Sequence, residues 1–170
     1  GLRGANHALV GGEDVGLAAI ALGADRVASG ATPLVVAGGA EEHSDLIHAS
    51  LRAEGLLDPA DPFAEGAAVL VVEDEEAARR RGASIRARIL GSGRGDPASA
   101  MRRAAAEAGR EPEFTIGVVP RAVLGEGFAA TSAALALLGA FALEGGVRTV
   151  LLVSATAAGG ATALVLGHAG

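Results

Sequence analysis

Two glutamates stand in matching surroundings in this chain. Glu13 follows Gly12 and Glu126 follows Gly125, and each opens a long, almost unbroken apolar segment. A carboxylate at a helix N-terminus meets exposed N–H groups and a partial positive charge, an interaction of about 0.3–1 kcal/mol. If the fold brought two such carboxylates into one partly buried cleft, they would resist double ionisation, one pKa would rise and the pair could do acid/base work. Asp14 reads as a helix cap, whereas Glu13 and Glu126 are the candidates for chemistry. No nucleophile stands beside them. The chain has no cysteine, which excludes disulfides, thiolate metal sites and redox motifs together. Its four histidines, His7, His43, His48 and His168, form no pair at helical spacing, so neither a metal nor a cofactor is expected.

Buried helices must position these acids. From Val15 to Ala24 there is no polar side chain, and from Phe128 to Leu143 only Thr131 and Ser132 interrupt the run. A helix apolar on every side is buried on every side. Each run leads to a β-branched stretch and then to paired glycines, Gly38-Gly39 in one case and Gly159-Gly160 in the other. That recurrence reads as one supersecondary unit used twice in a single domain, 1–170, with halves at about 1–75 and 110–170. The paired glycines are expected in turns after strands, or where segments approach closely.

Periodicity predicts helices over 14–28, 45–53, 75–81, 98–108 and 129–143. Strands are predicted over 8–10, 34–37, 67–73, 84–90 and 115–119, with a hairpin pairing 149–154 and 163–166. Strands and helices alternate, so the class is α/β. The stretch Gly91-Ser92-Gly93-Arg94-Gly95 lacks the context of a nucleotide loop and reads as a flexible connection.

Net charge is −6 with the two signs interspersed, and aromatic residues make up 2%, so there is no footprint for nucleic acid. The basic run Arg79-Arg80-Arg81 follows Glu75-Glu76, as on a surface helix that complements its own dipole. The competing reading is a landing patch for an acidic carrier protein. No apolar run reaches membrane-spanning length without glycine or charge, and a cytoplasmic location is expected.

Several strings also carry a family resemblance. Thr32-Pro33-Leu34-Val35-Val36-Ala37-Gly38-Gly39-Ala40-Glu41-Glu42, then Asp61-Pro62-Phe63 with the stretch 65–74, then Gly159-Gly160, resemble β-ketoacyl synthases of the thiolase superfamily in that order. The resemblance implies a layered αβαβα fold with two buried central helices. It sets Glu13 where the family has its nucleophilic cysteine, and Glu126 where it has the histidine of a Gly-His-Thr turn. The family's other histidine has no counterpart between Phe114 and Gly125, and Thr156 and Ala158 replace the gating phenylalanines beside Gly159 and Gly160.

A thiolate is what makes acyl-thioester chemistry possible, and none is present. The chain therefore resembles a chain-length factor, a cysteine-less paralogue that forms a heterodimer with an active ketosynthase subunit. The resemblance implies an acyl carrier protein as a further partner, in fatty-acid, polyketide or aryl-polyene biosynthesis. The alternative is a ketosynthase-like acyltransferase or malonyl decarboxylase with an altered site. Complete ketosynthases are longer and carry loops that this sequence lacks, which implies a pruned relative or an incomplete sequence.

Overall fold

The computed structural model describes residues 4–57, 62–117 and 125–169. In chain order the elements are α1 (Val15–Ala28), β1 (Leu34–Glu41), α2 (Asp45–Ala53), β2 (Gly66–Glu73), α3 (Glu75–Arg80) and β3 (Arg88–Gly95). They continue with α4 (Pro97–Ala108), β4 (Phe114–Ile116), α5 (Phe128–Glu144), β5 (Thr149–Ala155) and β6 (Ala161–Gly167).

Local chemistry sets several of these boundaries. Asp96 accepts from the Ser99 N–H at 3.0 Å, Pro97 occupies the first turn of α4, and Gly109 ends the helix in the left-handed conformation at φ 64°. Asp74 caps α3 through the Ala77 N–H at 2.9 Å. On α3, Arg79 pairs with Glu75 and Arg80 with Glu76 four residues apart, while Arg81 pairs with Glu73 at 2.7 Å. The basic run is thus matched by acids on its own side of the molecule.

Central helices α1 and α5 lie side by side in one layer. On one face they carry the antiparallel ribbon β1–β2, in register from Leu34 opposite Glu73 to Glu41 opposite Gly66. On the other they carry a four-stranded sheet of order β3-β6-β5-β4, in which only the β4–β5 pair is parallel. Helix α4 covers the far side of that sheet. Strands β5 and β6 are consequently buried on both faces. Val150, Leu152, Leu164 and Leu166 meet Leu17, Ile20, Leu135 and Leu143 of the central helices, whereas Leu151, Ala163 and Val165 meet Ala100 and Ala104 of α4. This is the α/β fold in layers, with α4 as the outer helical layer on one side. No helix among the described residues is long and apolar enough to cross a membrane.

Glycine sets how closely the layers approach. A Cβ on Gly16 would stand 1.9 Å from the Ala129 carbonyl oxygen of α5, and one on Gly39 would stand 2.1 Å from the same atom. Gly38 and Gly39 therefore lie inside β1 rather than in a turn after it; close approach is the part of the expectation that holds. Gly91 to Gly95 corrects the sequence reading in the same way. These residues belong to β3, and a Cβ on Gly93 would meet the Ala100 carbonyl oxygen of α4 at 2.1 Å. The strand predicted over 84–90 accordingly begins four residues later and runs to Gly95.

Three further expectations are corrected. Residues 8–10 form no strand, because nothing among the described residues pairs with them, and Val10 is 99% exposed. Helix α5 is not covered all round: Leu137, Leu138 and Phe141 face solvent, as do Val36, Val69 and Val71 on the outer face of the β1–β2 ribbon. These open faces are apolar, not polar, which keeps the reading of α5 as an interior type of helix. The strand placed over 115–119 is found as Phe114–Ile116, and its end at 118–119 lies outside the described residues, as does Asp61.

Candidate functional site

The entrance of α1 is fastened to the β5–β6 hairpin. Ser154 Oγ donates to the Glu13 carbonyl at 3.1 Å, and the Ala157 N–H donates to the Glu13 carboxylate, with its nitrogen 3.3 and 3.4 Å from the two oxygens. Asp14 occupies the N-cap position, yet its side chain makes no capping bond. Its Oδ2 instead accepts from Thr162 Oγ1 at 2.7 Å, and Thr162 is fully buried in β6. The reading of Asp14 as a cap is thus corrected: a buried hydroxyl without another acceptor outcompetes helix N–H groups that water can reach.

Thr156 organises the hairpin turn. Its Oγ1 accepts from the Gly160 N–H at 3.1 Å, its N–H donates to the Gly160 carbonyl at 2.8 Å, and Gly159 completes the turn at φ 85°. A Cβ on Gly12 would lie 3.2 Å from Thr156 Cγ2, which puts Thr156 against the α1 entrance. Ala158 and Gly159 are exposed at the tip. Of the residues singled out in the sequence, Glu13, Thr156 and Gly160 are therefore assembled around the entrance, and Ala158 and Gly159 stand outside it. Ala157 was missed, since a backbone N–H leaves no mark in a sequence.

Glu126, at the entrance of α5, is in a different environment. It is 4% exposed, and its Oε1 accepts from the Phe128 N–H at 2.8 Å. Its own N–H donates to the Pro62 carbonyl at 2.7 Å and its carbonyl accepts from the Ala64 N–H at 3.0 Å, a short parallel bridge with Phe63 at its centre. Phe128 sits at φ 37°, the only non-glycine residue at positive φ among those described. Glu41, at the end of β1, is held above the ordinary carboxylate range, first by burial and second by the negative charge of Glu126.

Glu126 thus acts on Glu41 across the space between the two elements. The Glu13 carboxylate accepts from the β5–β6 hairpin. The entrances themselves do converge: the Gly16 N–H donates to Ser132 Oγ at 3.0 Å, and Ser132 Oγ donates back to the Ala129 carbonyl at 3.2 Å. Ser132 is one of the two polar interruptions of the apolar run, and the helix crossing explains it.

Beside Glu126 is a cluster of rings that the sequence did not disclose. His43, His48 and Phe63 have centroids 5.3–5.7 Å apart, and Phe128 joins through Phe63 at 6.2 Å. His48 Nε2 is buried and has no hydrogen-bond partner. Helical spacing ruled this pair out, but His43 precedes α2 and only His48 lies on it, so the spacing test did not apply. No group of three or more metal-ligating side chains occurs among the described residues. A cleft of about 240 Å³ lies beside the first turn of α1, lined by His7, Leu9, Val15, Gly16, Gly39 and Ala129 among others. Its side chains are small or aliphatic apart from His7, and backbone supplies much of its lining.

No protein-family model matches the sequence, and no curated protein matches it. Solved structures do. The ishigamide ketosynthase/chain length factor is similar over 91% of this chain, with TM-score 0.80 and 23% identity. A β-ketoacyl synthase from Burkholderia phymatum STM815 is similar over 92%, with TM-score 0.81 and 19% identity. A type II PKS ketosynthase structure, a complex of an acyl-carrier protein with its ketosynthase bound to the hexaketide, is similar over 92%, with TM-score 0.71 and 16% identity. The chain spans about three fifths of the length of these proteins, at 59%, 60% and 61%. Two helices packed between sheets, in this order and at this similarity, give the chain the fold seen in these ketosynthase structures.

Proposed function

We propose that this chain is a non-catalytic, chain-length-factor-type subunit that pairs with a cysteine-bearing β-ketoacyl synthase in a cytoplasmic heterodimer. The observation that carries the reading is the α1 entrance. There the fold would present a nucleophile; here Glu13 stands in its place, and its carboxylate and that of the adjacent Asp14 both accept hydrogen bonds from the β5–β6 hairpin. Glu126 supports the same reading, because it stands where the resemblance places a histidine and its Oε1 is engaged by the Phe128 N–H. That feature weighs against malonyl decarboxylation. The exposed apolar stripe Leu137, Leu138 and Phe141 supports a partner, and the printed description of one similar structure, a ketosynthase with its acyl-carrier protein, supports a carrier as the source of acyl groups. The subunit's contribution would be to shape the cleft beside the α1 entrance.

Co-expression with a cysteine-bearing ketosynthase, followed by product analysis of the purified pair, tests this. The expected result is condensation by the pair and none by this chain alone, with Glu13→Ala shifting the product distribution. Glu13→Cys is expected to create no condensation in the chain alone, since the histidines that would activate the extender are absent. Condensation or carbon dioxide release by the isolated chain would overturn the proposal.

A further inference from the structure

A second cleft, away from the central-helix entrances, is lined by Ala21, Leu22 and Asp25 of α1, Ser92 and Arg94 of β3, and Arg103 of α4, and has a volume of about 300 Å³. Its two arginines differ from most others in the molecule. Arg79, Arg80, Arg81, Arg86, Arg88 and Arg148 are each paired with a carboxylate. Arg94 and Arg103 are tied to backbone carbonyls instead. Arg94 Nη2 donates to the Ala18 carbonyl of α1 at 3.0 Å, and Arg103 Nη1 donates to the Arg94 carbonyl at 3.1 Å.

These bonds hold both guanidinium groups, which belong to exposed residues, at the cleft without a paired carboxylate on either among the described residues. Each guanidinium carries five N–H donors, and one nitrogen is engaged in each case, so donors remain for a ligand. A planar fork held in place loses little freedom on binding an oxyanion, which is why arginine is favoured for phosphate and carboxylate recognition. Ser92 is not available: its N–H and hydroxyl face Glu107, with the N–H donating at 2.8 Å. Asp25 at the α1 side opposes a second negative group and favours a ligand whose other end is a donor or is apolar, as the neighbouring Ala21 and Leu22 also require.

We propose that the cleft between α1, β3 and α4 is a binding site for a small oxyanion, of the class of a phosphate monoester with a neutral tail, held between Arg94 and Arg103. The site is independent of any catalytic or partner role of the central helices. Inorganic phosphate and glycerol 3-phosphate are the probes, followed by isothermal titration and by the shift in melting temperature at constant ionic strength, because the chain has no tryptophan or tyrosine for fluorescence.

Saturable binding of both probes is expected, with the ester at least as tight as phosphate, and chloride at matched ionic strength giving no shift. Arg103→Gln should weaken binding about tenfold or more, as loss of one charge-assisted contact does. Arg102→Gln, on the same helix but bonded to Ser99, should leave it unchanged. Asp25→Asn should tighten phosphate binding several-fold by removing the opposing charge. Because Arg94 also ties β3 to α1, Arg103→Gln and Asp25→Asn carry the test without risk to that tie. Equal loss in Arg102→Gln and Arg103→Gln, no response to Asp25→Asn, or no saturable binding in the folded chain would each overturn the proposal.

Discussion

The entrances of α1 and α5 carry the same residue type at the same place in the fold, and the two glutamates do unlike things. Glu13 reaches outward to another element, the β5–β6 hairpin, over contacts of 3.3 and 3.4 Å. Glu126 turns back on its own helix over 2.8 Å and is almost sealed from water. The first is a tether between layers; the second is a buried self-cap beside a strained backbone. Matching sequence context thus specifies that a carboxylate stands at a helix start, while the layer facing it decides what the carboxylate holds.

The crossing that brings the entrances together offers the largest test. Gly16→Ala puts a methyl group into the Ala129 carbonyl, where backbone rather than a flexible side chain must yield, and overpacking of this kind costs about 3 kcal/mol or more. Chemical denaturation should show that loss, and an unchanged midpoint would mean that the helices do not cross at this point. Next comes Glu126→Ala. It leaves the Phe128 N–H without its acceptor in a partly buried place, at a cost of about 1–2 kcal/mol. Glu126→Gln keeps an acceptor oxygen and should retain most of the parent's stability, so equal losses in the two variants would contradict the self-cap.

Thr162→Val removes the donor to Asp14 and leaves a carboxylate unpaired, at about 1 kcal/mol. Glu13→Ala, whose contacts are long and exposed, should cost about 0.5 kcal/mol or less. A larger loss for Glu13→Ala than for Glu126→Ala would invert the comparison.

A pH titration sharpens it further. Glu41 binds its proton more tightly folded than unfolded, so its contribution favours the folded state at acid pH and declines as pH rises from the unfolded value through the raised folded one. Glu41→Gln should therefore melt near the parent at about pH 3.5 and above it at about pH 7. Glu126→Gln should reduce that difference, because one of the two causes of the shift is gone.

Features that arise within one element were legible in the sequence. The central helices were readable from their unbroken apolar runs, α4 from its periodicity over 98–108, and the β5–β6 hairpin from its β-branched stretch and paired glycines. Glycine in strands was misread because its reason is tertiary. Gly39 and Gly93 are there so that α5 and α4 can sit on the sheets, and a local reading turns the same residues into turns and loops. Residues 8–10 have a strand's composition, but a strand exists only with a partner. At the site, Glu13 and Thr156 were found through sequence matching, whereas Ala157, Glu41 and the ring cluster of His43, His48 and Phe63 depend on contacts through space.

In the β1–β2 ribbon each strand has a neighbour on one side only among the described residues, so alternate backbone amides of Leu34–Glu41 and Gly66–Glu73 point away from their partner. Strand β6, flanked by β3 and β5, has neighbours on both sides and is buried along its whole length. Deuterium should therefore enter the ribbon first, in an every-other-residue pattern, and reach β6 last. The same asymmetry gives any strand-forming or helix-covering partner a direct signature: the alternate amides of the ribbon would slow down on its arrival while those of β6 kept their pace.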